Sequence, residues 1–362
     1  MFVREGKRPL TGAVFTYFYG GRLRRRGVRP AVRWTGASTA SSRRQMLPAP
    51  SIVVEWETGQ ECGGGRALAC LAELNRQMWE EPGAFAAPPE LILVFDPLEA
   101  ERETVEEAAA AAAARGWPGR FEIAAAPGRL DYYQKKNFGF GRSLGEIVLF
   151  VDSDLFPEPG WLRALAAPFA DPGKNVVVGR THFETGSLYE QAMALFWIFE
   201  ERIGGDLLRP TRRLVSNNIA FRRPVFAALP FPDSPTYRGQ CSALGARLIG
   251  LGIVMYEATA ARAVHPAPAG VRAFAARAWR AGRDGRHYSA TEGSRSAARV
   301  WRRDLDGVGK RIRARRGPVG AGPVAVAAAA LMGLAYYSIK AAAWRAAPRY
   351  PAPDNSEIFA TR

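Results

Sequence analysis

The sequence predicts an α/β fold with a mostly parallel central sheet and a C-terminal helical region. Three observations lead there. Short apolar runs alternate with helix-forming runs over residues 51–151. One of them, Ile147-Val148-Leu149-Phe150-Val151, is apolar at every position, as a strand covered on both faces is. Finally, 48% of the 362 residues are hydrophobic, enough for the core of one large α/β domain with extensions.

Each element follows in order. Ser51-Ile52-Val53-Val54 is a first strand, and Gly63-Gly64-Gly65 leads into a helix-forming run from Ala67 to Met78. Leu91 to Phe95 is a second strand, ending at Asp96-Pro97, and the acidic, Ala-rich stretch from Glu99 to Arg115 is a strong helix former. Phe121-Glu122-Ile123 is a weak third strand, residues 130–143 read as helix, and residues 147–151 form the central strand. Such βα alternation implies helices on both faces of the sheet and a ligand at the carboxyl ends of the strands. The triple glycine is not a dinucleotide fingerprint, because it lacks GxGxxG spacing and lies well after its strand.

The formal charge of +16 sits at the ends of the chain. Residues 1–50 hold eleven Arg/Lys against Glu5, and residues from Gly270 onward hold 18 basic against 6 acidic side chains. The middle is therefore net acidic. A nucleic-acid-binding domain carries its positive field on the folded body, so no nucleic-acid partner is expected. Basic ends beside an apolar segment suit an anionic membrane surface instead. That segment, residues 317–339, has no charge; Arg311, Arg313, Arg315 and Arg316 precede it, and Lys340 and Arg345 follow. It is long enough to span a bilayer, yet alanines and two prolines moderate its hydrophobicity. Spanning, interfacial and soluble helices all stay open.

Three regions result: a basic, loosely structured arm over residues 1–50, a catalytic domain over 51–269, and a basic helical region over 270–362. Cys62, Cys70 and Cys241 make neither a disulfide framework nor a CxxC zinc site, which suits a reducing cytoplasm. The N-terminus lacks the apolar run of a secretory signal.

The sharpest feature is Asp152-Ser153-Asp154, at the exit of the central strand and before Pro157-Glu158-Pro159-Gly160-Trp161-Leu162. Alternate residues of an extended strand point the same way, so Asp152 and Asp154 can face one ligand. Carboxylates so grouped repel unless a cation joins them, and a hard divalent cation carrying a diphosphate is the usual answer. The alternative is a pair of helix N-caps for a helix begun at Pro159.

With that motif in place, Ser51 to His265 resembles the family 2 glycosyltransferases of GT-A type fold. The resemblance implies that Val54, at the end of the first strand, lies against the nucleotide base, and that Asp96 contacts the nucleoside. Lys136-Asn137-Phe138-Gly139 resembles the turn preceding the family's acidic motif; with Lys135 it would face the diphosphate. Asn217 to Phe226 resembles the acceptor-side strand and helix, and Val264-His265-Pro266 the closing strand. By this resemblance Asp152, Asp154 and His265 hold Mn²⁺ or Mg²⁺, with Asp154 the most direct ligand. Val54, Asp96, Lys136, Asn137, Asp152 and Ser153 then form the donor site. Asn217 and Asn218 can equally satisfy turns.

One departure matters. Where the family carries Glu-Asp with an Asp base, this chain reads Tyr237-Arg238-Gly239-Gln240-Cys241. Gln240 can orient a group but cannot take a proton. Either another base serves, such as Asp233 or Glu184, or the acceptor is already anionic, as a lipid phosphate is, or catalysis has been lost. The expected activity is inverting, hexosyltransferase-like transfer from a nucleoside-diphosphate sugar to a glycan, glycolipid or lipid phosphate, in cell-envelope or polysaccharide synthesis. The expected location is the cytoplasmic face of the inner (plasma) membrane, peripheral or single-span. Two competitors stand beside it: a membrane-attached binding module without catalysis, and a nucleotidyltransferase. Glu55-Trp56-Glu57 stands where the latter would need a Gly-rich basic loop.

Overall fold

Strand β1 (Pro50–Glu55) is buried along its whole length and sits between β2 (Glu90–Phe95) and β4 (Ile147–Asp152), parallel to both. With β3 (Phe121–Ala125) added beside β2, these strands make a parallel block. The alternation of strand side chains splits the core in two. Ile52, Val54, Leu93 and Leu149 face Leu71 and Leu74, whereas Val53, Val94 and Phe150 face Tyr132 and Phe226.

In this computed structural model the described residues are 46–347, apart from 57–64, 82, 114, 198, 200–206, 235, 237–238 and 290–295. Residues 1–45 of the expected basic arm, Cys62, Gly63, Gly64, Tyr237 and Arg238 lie outside them. Residues 46–50 lead directly into the fold: Leu47 N–H donates to Ala84 O at 2.8 Å, and Ala86 N–H to Leu47 O at 2.7 Å.

Helices α1 (Gly65–Glu80) and α2 (Arg102–Ala112) follow β1 and β2, and α3 (Tyr132–Arg142) follows β3. A two-residue strand β5 (Phe156–Pro157) and α4 (Trp161–Ala166) come after β4. Next come β6 (Val176–Phe183), α5 (Leu188–Phe196), β7 (Leu208–Thr211), β8 (Asn218–Arg222) and α6 (Arg223–Ala228). Helix α7 (Gln240–Gly250) and strand β9 (Met255–His265) complete the sheet region. The sheet order is β3-β2-β1-β4-β8-β6-β9-β5, with β7 on β9; β8 runs antiparallel to both neighbours, and β6 and β9 are parallel.

Local signals set several boundaries. Asp131 and Gln134 form a capping box at the start of α3, and Ser187 and Glu190 form one at α5. Helix α3 lies unusually close to the sheet: a Cβ on Gly139 would stand 2.4 Å from Val53 Cγ1. Phe150 is packed by Phe226 at 4.7 Å and Phe231 at 5.5 Å between ring centroids. Truncating such a fully buried ring costs about 3–5 kcal/mol.

At the amino ends of the parallel strands, Glu90 ties three segments together. It accepts from Ser51 Oγ, from Leu144 N–H, from Gly145 N–H at 3.1 Å and from Arg120 Nη1 at 2.7 Å. Burial raises its pKa, but these donors outweigh burial and hold the carboxyl below its ordinary value.

The C-terminal region forms α8 (Gly270–Ser289), α9 (Ala297–Arg315) and α10 (Pro323–Ala346), packed on one another and on α5. Pro323 opens α10 at a first-turn position, where its missing N–H costs nothing. Arg315 is buried and donates to the carbonyls of Ala194 at 3.0 Å, Trp197 at 2.8 Å and Phe199 at 2.7 Å. It thereby satisfies the orphan acceptors at the C-terminal end of α5, where a cation also suits the helix dipole. Among the described residues, α10 is the one helix long and apolar enough to cross a membrane, with a mean hydropathy of 1.5.

Candidate functional site

Strand β4 ends at Asp152, and Ser153-Asp154 belong to a turn closed by Leu155 N–H on Asp152 O at 3.1 Å. The turn, rather than strand alternation, therefore aims Asp154. Neither acid caps a helix: the N-cap of α4 is Gly160, in the left-handed region at φ 80°, with no side-chain cap bond. All three residues of the motif are buried.

Asp152 and Asp154 have different surroundings. Asp152 Oδ1 accepts from Lys136 Nζ at 2.8 Å and from Tyr132 O–H at 2.5 Å. Lys136 is fully buried and sits 4.6 Å from the centre of the Tyr132 ring. So the positive charge expected to face a diphosphate is spent on Asp152. No cation is needed to relieve the repulsion between Asp152 and Asp154. Lys135, also fully buried, pairs with Glu99 at 2.7 Å. Burial, with the charge of Asp152 added, raises the Tyr132 phenol well above its ordinary value, so it stays a donor. The Ser216 hydroxyl, 3.1 Å from Tyr132 O, is then the donor in that contact.

Asp154 meets His265, at the end of β9, with Oδ2 3.8 Å from Nε2. His265 Nδ1–H donates to Pro266 O at 2.7 Å, so Nε2 carries the lone pair turned toward Asp154. Burial lowers the His265 pKa, and Asp154 pulls the other way without overcoming it; the ring is neutral. Phe199, at 4.8 Å, and Phe183, at 6.0 Å, hold the imidazole in place. A neutral imidazole and a carboxylate oxygen facing across a short gap suit a hard or borderline divalent ion. Among the described residues no group of three or more His, Cys, Asp or Glu side chains can hold an ion alone. A two-ligand arrangement fits an ion whose remaining positions are taken by water and substrate phosphates.

The other expected residues divide into those at strand ends and those used by the scaffold. Asp96 is buried; Oδ1 accepts from Leu98 N–H at 2.8 Å, and Oδ2 has no hydrogen-bond partner among the described residues. Val54 is fully buried in the core beside Val151, so the end of β1 is formed by Glu55 and Trp56. Asn137 is turned away: it donates to Phe231 O at 2.8 Å and accepts from Phe231 N–H at 3.1 Å. It fixes the chain before Asp233 rather than reaching a donor. Asn218 accepts from Trp161 Nε1 at 2.9 Å and donates to Ala261 O, joining β8 to α4 and to β9.

On the acceptor side, Gln240 is fully buried at the start of α7. Its Nε2 donates to Thr236 O at 3.0 Å, and Oε1 has no hydrogen-bond partner among the described residues. The next residue, Cys241, has its sulfur 3.1 Å from Tyr133 Oη, so the first turn of α7 abuts the helix that holds Asp152. Asp233 is exposed and accepts from Gln134 Nε2 at 3.2 Å; Glu184 is exposed just beyond β6. Neither meets Asp154 or His265 directly.

Tyr132, Ser216 and Cys70 carried no sequence signal for the site. Cys70 is buried, with Sγ 3.7 Å from Asp152 O, and burial together with Asp154 and Asp152 keeps its thiol protonated. It is a packing group and not a nucleophile.

Comparison with known proteins bears on the fold and the family. A search of curated proteins found no match. Among solved structures, a mannosyltransferase from Pyrobaculum calidifontis, in complex with GDP-Man and Mn²⁺, superposes with a TM-score of 0.53 at 14% identity. It covers 86% of this chain and 91% of its own. GalNAc-T7 with UDP, GalNAc and Mn²⁺ gives 0.46 at 12% identity, covering 75% of this chain and 54% of its own. At 14% identity the likeness to the mannosyltransferase is one of fold. Residues 66–229 match Glycosyl transferase family 2. That match, on a sheet of this topology, identifies a family 2 glycosyltransferase domain of GT-A type.

Proposed function

We propose that the chain transfers a sugar from a nucleoside-diphosphate sugar, held through Mn²⁺ or Mg²⁺, to an acceptor presented at a membrane surface. The observation that carries the reading is the Asp154–His265 pair, two candidate ligand atoms 3.8 Å apart, one on the buried turn after β4 and the other at the end of β9. When bound there, the divalent ion offsets charge that develops on the departing diphosphate. Asp154 and His265 are its protein ligands. Asp152, fixed through Oδ1 by Lys136 and Tyr132, keeps Oδ2 for the donor. Asp96 supplies a buried acceptor for a base N–H or a ribose hydroxyl. Residues 51–269 make up the transfer unit, and 270–362 the region that brings it to its acceptor.

The acceptor chemistry follows from Gln240. Its Oε1, without a hydrogen-bond partner among the described residues, can accept one hydrogen bond from an acceptor hydroxyl but cannot remove the proton. An acceptor already ionised, such as a lipid phosphate, needs no base. Basic flanks and an apolar α10 support a place at the cytoplasmic face of the inner membrane. An assay offering a polyprenyl phosphate and a neutral sugar in parallel tests this; turnover with the neutral sugar alone rejects the anionic acceptor. A second reading, a module that binds donor without transferring, also draws on Gln240. Metal-dependent binding of a sugar nucleotide with no hydrolysis and no transfer would favour it.

A further inference from the structure

Helices α8, α9 and α10 present a surface that the transfer site does not use. The outward side of α10 carries Val324, Leu331 and Leu334, which are 68%, 69% and 44% exposed. Between α8 and α10 runs a shallow groove lined by Ala275, Ala276, Trp279, Ile339 and Ala342, with Arg280 at its margin. Exposed Arg272 and Arg283 flank Trp279 along α8, and Arg345 ends the outward side of α10. The outward side of α9 is mostly basic: Arg299, Arg302, Lys310 and Arg313 are exposed at helical spacing, with Asp306 the one acid among them, and exposed Arg316 caps the helix. An apolar ridge bordered by guanidinium groups complements one partner, a bilayer surface bearing anionic headgroups.

The same helices exclude a free span. Helix α10 is tied to α9 along its second half, by Lys340 Nζ to Asp304 at 2.7 Å, Arg311 Nη2 to Tyr337 Oη at 2.9 Å and Trp301 Nε1 to Ser338 at 3.2 Å. It also touches α8 at backbone distance, where a Cβ on Gly282 would lie 2.2 Å from Lys340 O. Threading α10 through hydrocarbon would either break these bonds or carry Asp304 and Arg311 in with it, and charges inside a membrane are expensive. Lying in the interface needs no rearrangement.

We infer that α8–α10 form an in-plane docking face for an anionic bilayer, with the outward side of α10 and Trp279 immersed and the arginines at headgroup level. The face is joined to the transfer site: Tyr336 of α10 packs on Trp197 at 4.6 Å, and Phe199, just beyond, packs on His265 at 4.8 Å. Docking would thus hold the Asp154–His265 pair beside the membrane surface. The inference rests on the proposed membrane-presented acceptor and deepens it.

The test is flotation of the full chain with phosphatidylcholine vesicles, with and without phosphatidylglycerol, with no sugar nucleotide present. Binding is expected only to the anionic vesicles and should weaken as salt rises. The double variant Leu331→Glu/Leu334→Glu should bind at least about tenfold more weakly. Its thermal midpoint and its nucleotide affinity should stay those of the parent. Undiminished binding by the variant overturns the inference. So does resistance of the bound protein to alkaline carbonate, which indicates a span, and so does a dimer that the variant abolishes without any vesicle binding. Since flotation involves no donor, it can fail while Asp154→Ala still abolishes transfer, and the reverse holds too.

Discussion

The two ends of the parallel strands treat buried carboxylates in opposite ways. At the amino ends, Glu90 is surrounded by donors from Ser51, Arg120, Leu144 and Gly145. At the carboxyl ends, Asp96 keeps one oxygen without a hydrogen-bond partner among the described residues, and Asp154 faces the lone pair of His265. A buried polar atom left unmatched costs about 1–3 kcal/mol, so Asp96 marks a local deficit at the carboxyl ends that a ligand can fill. Saturation by the chain's own donors marks scaffold, and incompleteness marks a binding site. Asp152 lies between the two, fixed on one oxygen by Lys136 and Tyr132.

Substitutions at either end can break this contrast. The largest effect should come from Asp154→Ala, which should lower kcat for donor hydrolysis and transfer by about a thousandfold. Its thermal midpoint should stay near the parent's, because the backbone bond that closes the turn, Leu155 N–H to Asp152 O, does not involve the Asp154 side chain; parental turnover in that variant refutes the assigned role. Glu90→Ala should do the reverse. A loss of about 3 kcal/mol in chemical denaturation is expected, because its partners are left buried without an acceptor. Nucleotide affinity of the folded fraction should remain, and an equal loss of affinity would erase the distinction between the ends.

Tyr132→Phe sharpens the intermediate case. It removes one of the two donors to Asp152 and should reduce kcat/KM about tenfold while leaving stability within about 1 kcal/mol. The smallest effect is a pH dependence. The folded-state pKa of Glu90 lies below its unfolded value. Its contribution is therefore present above the ordinary carboxyl pKa and is lost as pH falls through the lower, folded value. Glu90→Gln should flatten the acid limb of a stability–pH curve and leave the neutral region's slope unchanged.

Much of the donor side could be read from sequence because its signals are local. Ile147 to Val151 is an uninterrupted apolar run, and the acid that ends it needs no tertiary information to be noticed. The direction in which a basic side chain points is not local. Lys136 reaches Asp152 across 16 residues of chain, and Asn137, its neighbour, reaches Phe231 on the opposite side. Tyr132 was hidden because Asp131-Tyr132-Tyr133-Gln134 reads simply as a helix start. Strand β6 is not legible in the sequence because Gly179, Arg180, Thr181 and His182 interrupt its apolar run, although all eight of its residues are buried. The uncharged segment covers residues 317–339, and the helix that contains most of it runs from Pro323 to Ala346. Two prolines shift its start, and Lys340, paired with Asp304, lets it continue past the first charge.

Gly139 has a reach beyond packing. With no side chain there, α3 settles against Val53 and Val94, and that depth lets the stems of Lys135 and Lys136 run inward until their amines meet Glu99 and Asp152. The helix thus acts as a spacer whose thickness is set at one position, and the charge on the acidic turn is tuned by how far that spacer sinks. A methyl group at residue 139 would stand 2.4 Å from Val53 Cγ1, so α3 would have to lift, or the valines give, by about 1 Å. The lift would draw the Lys136 amine and the Tyr132 hydroxyl away from Asp152, and so register first as altered donor affinity.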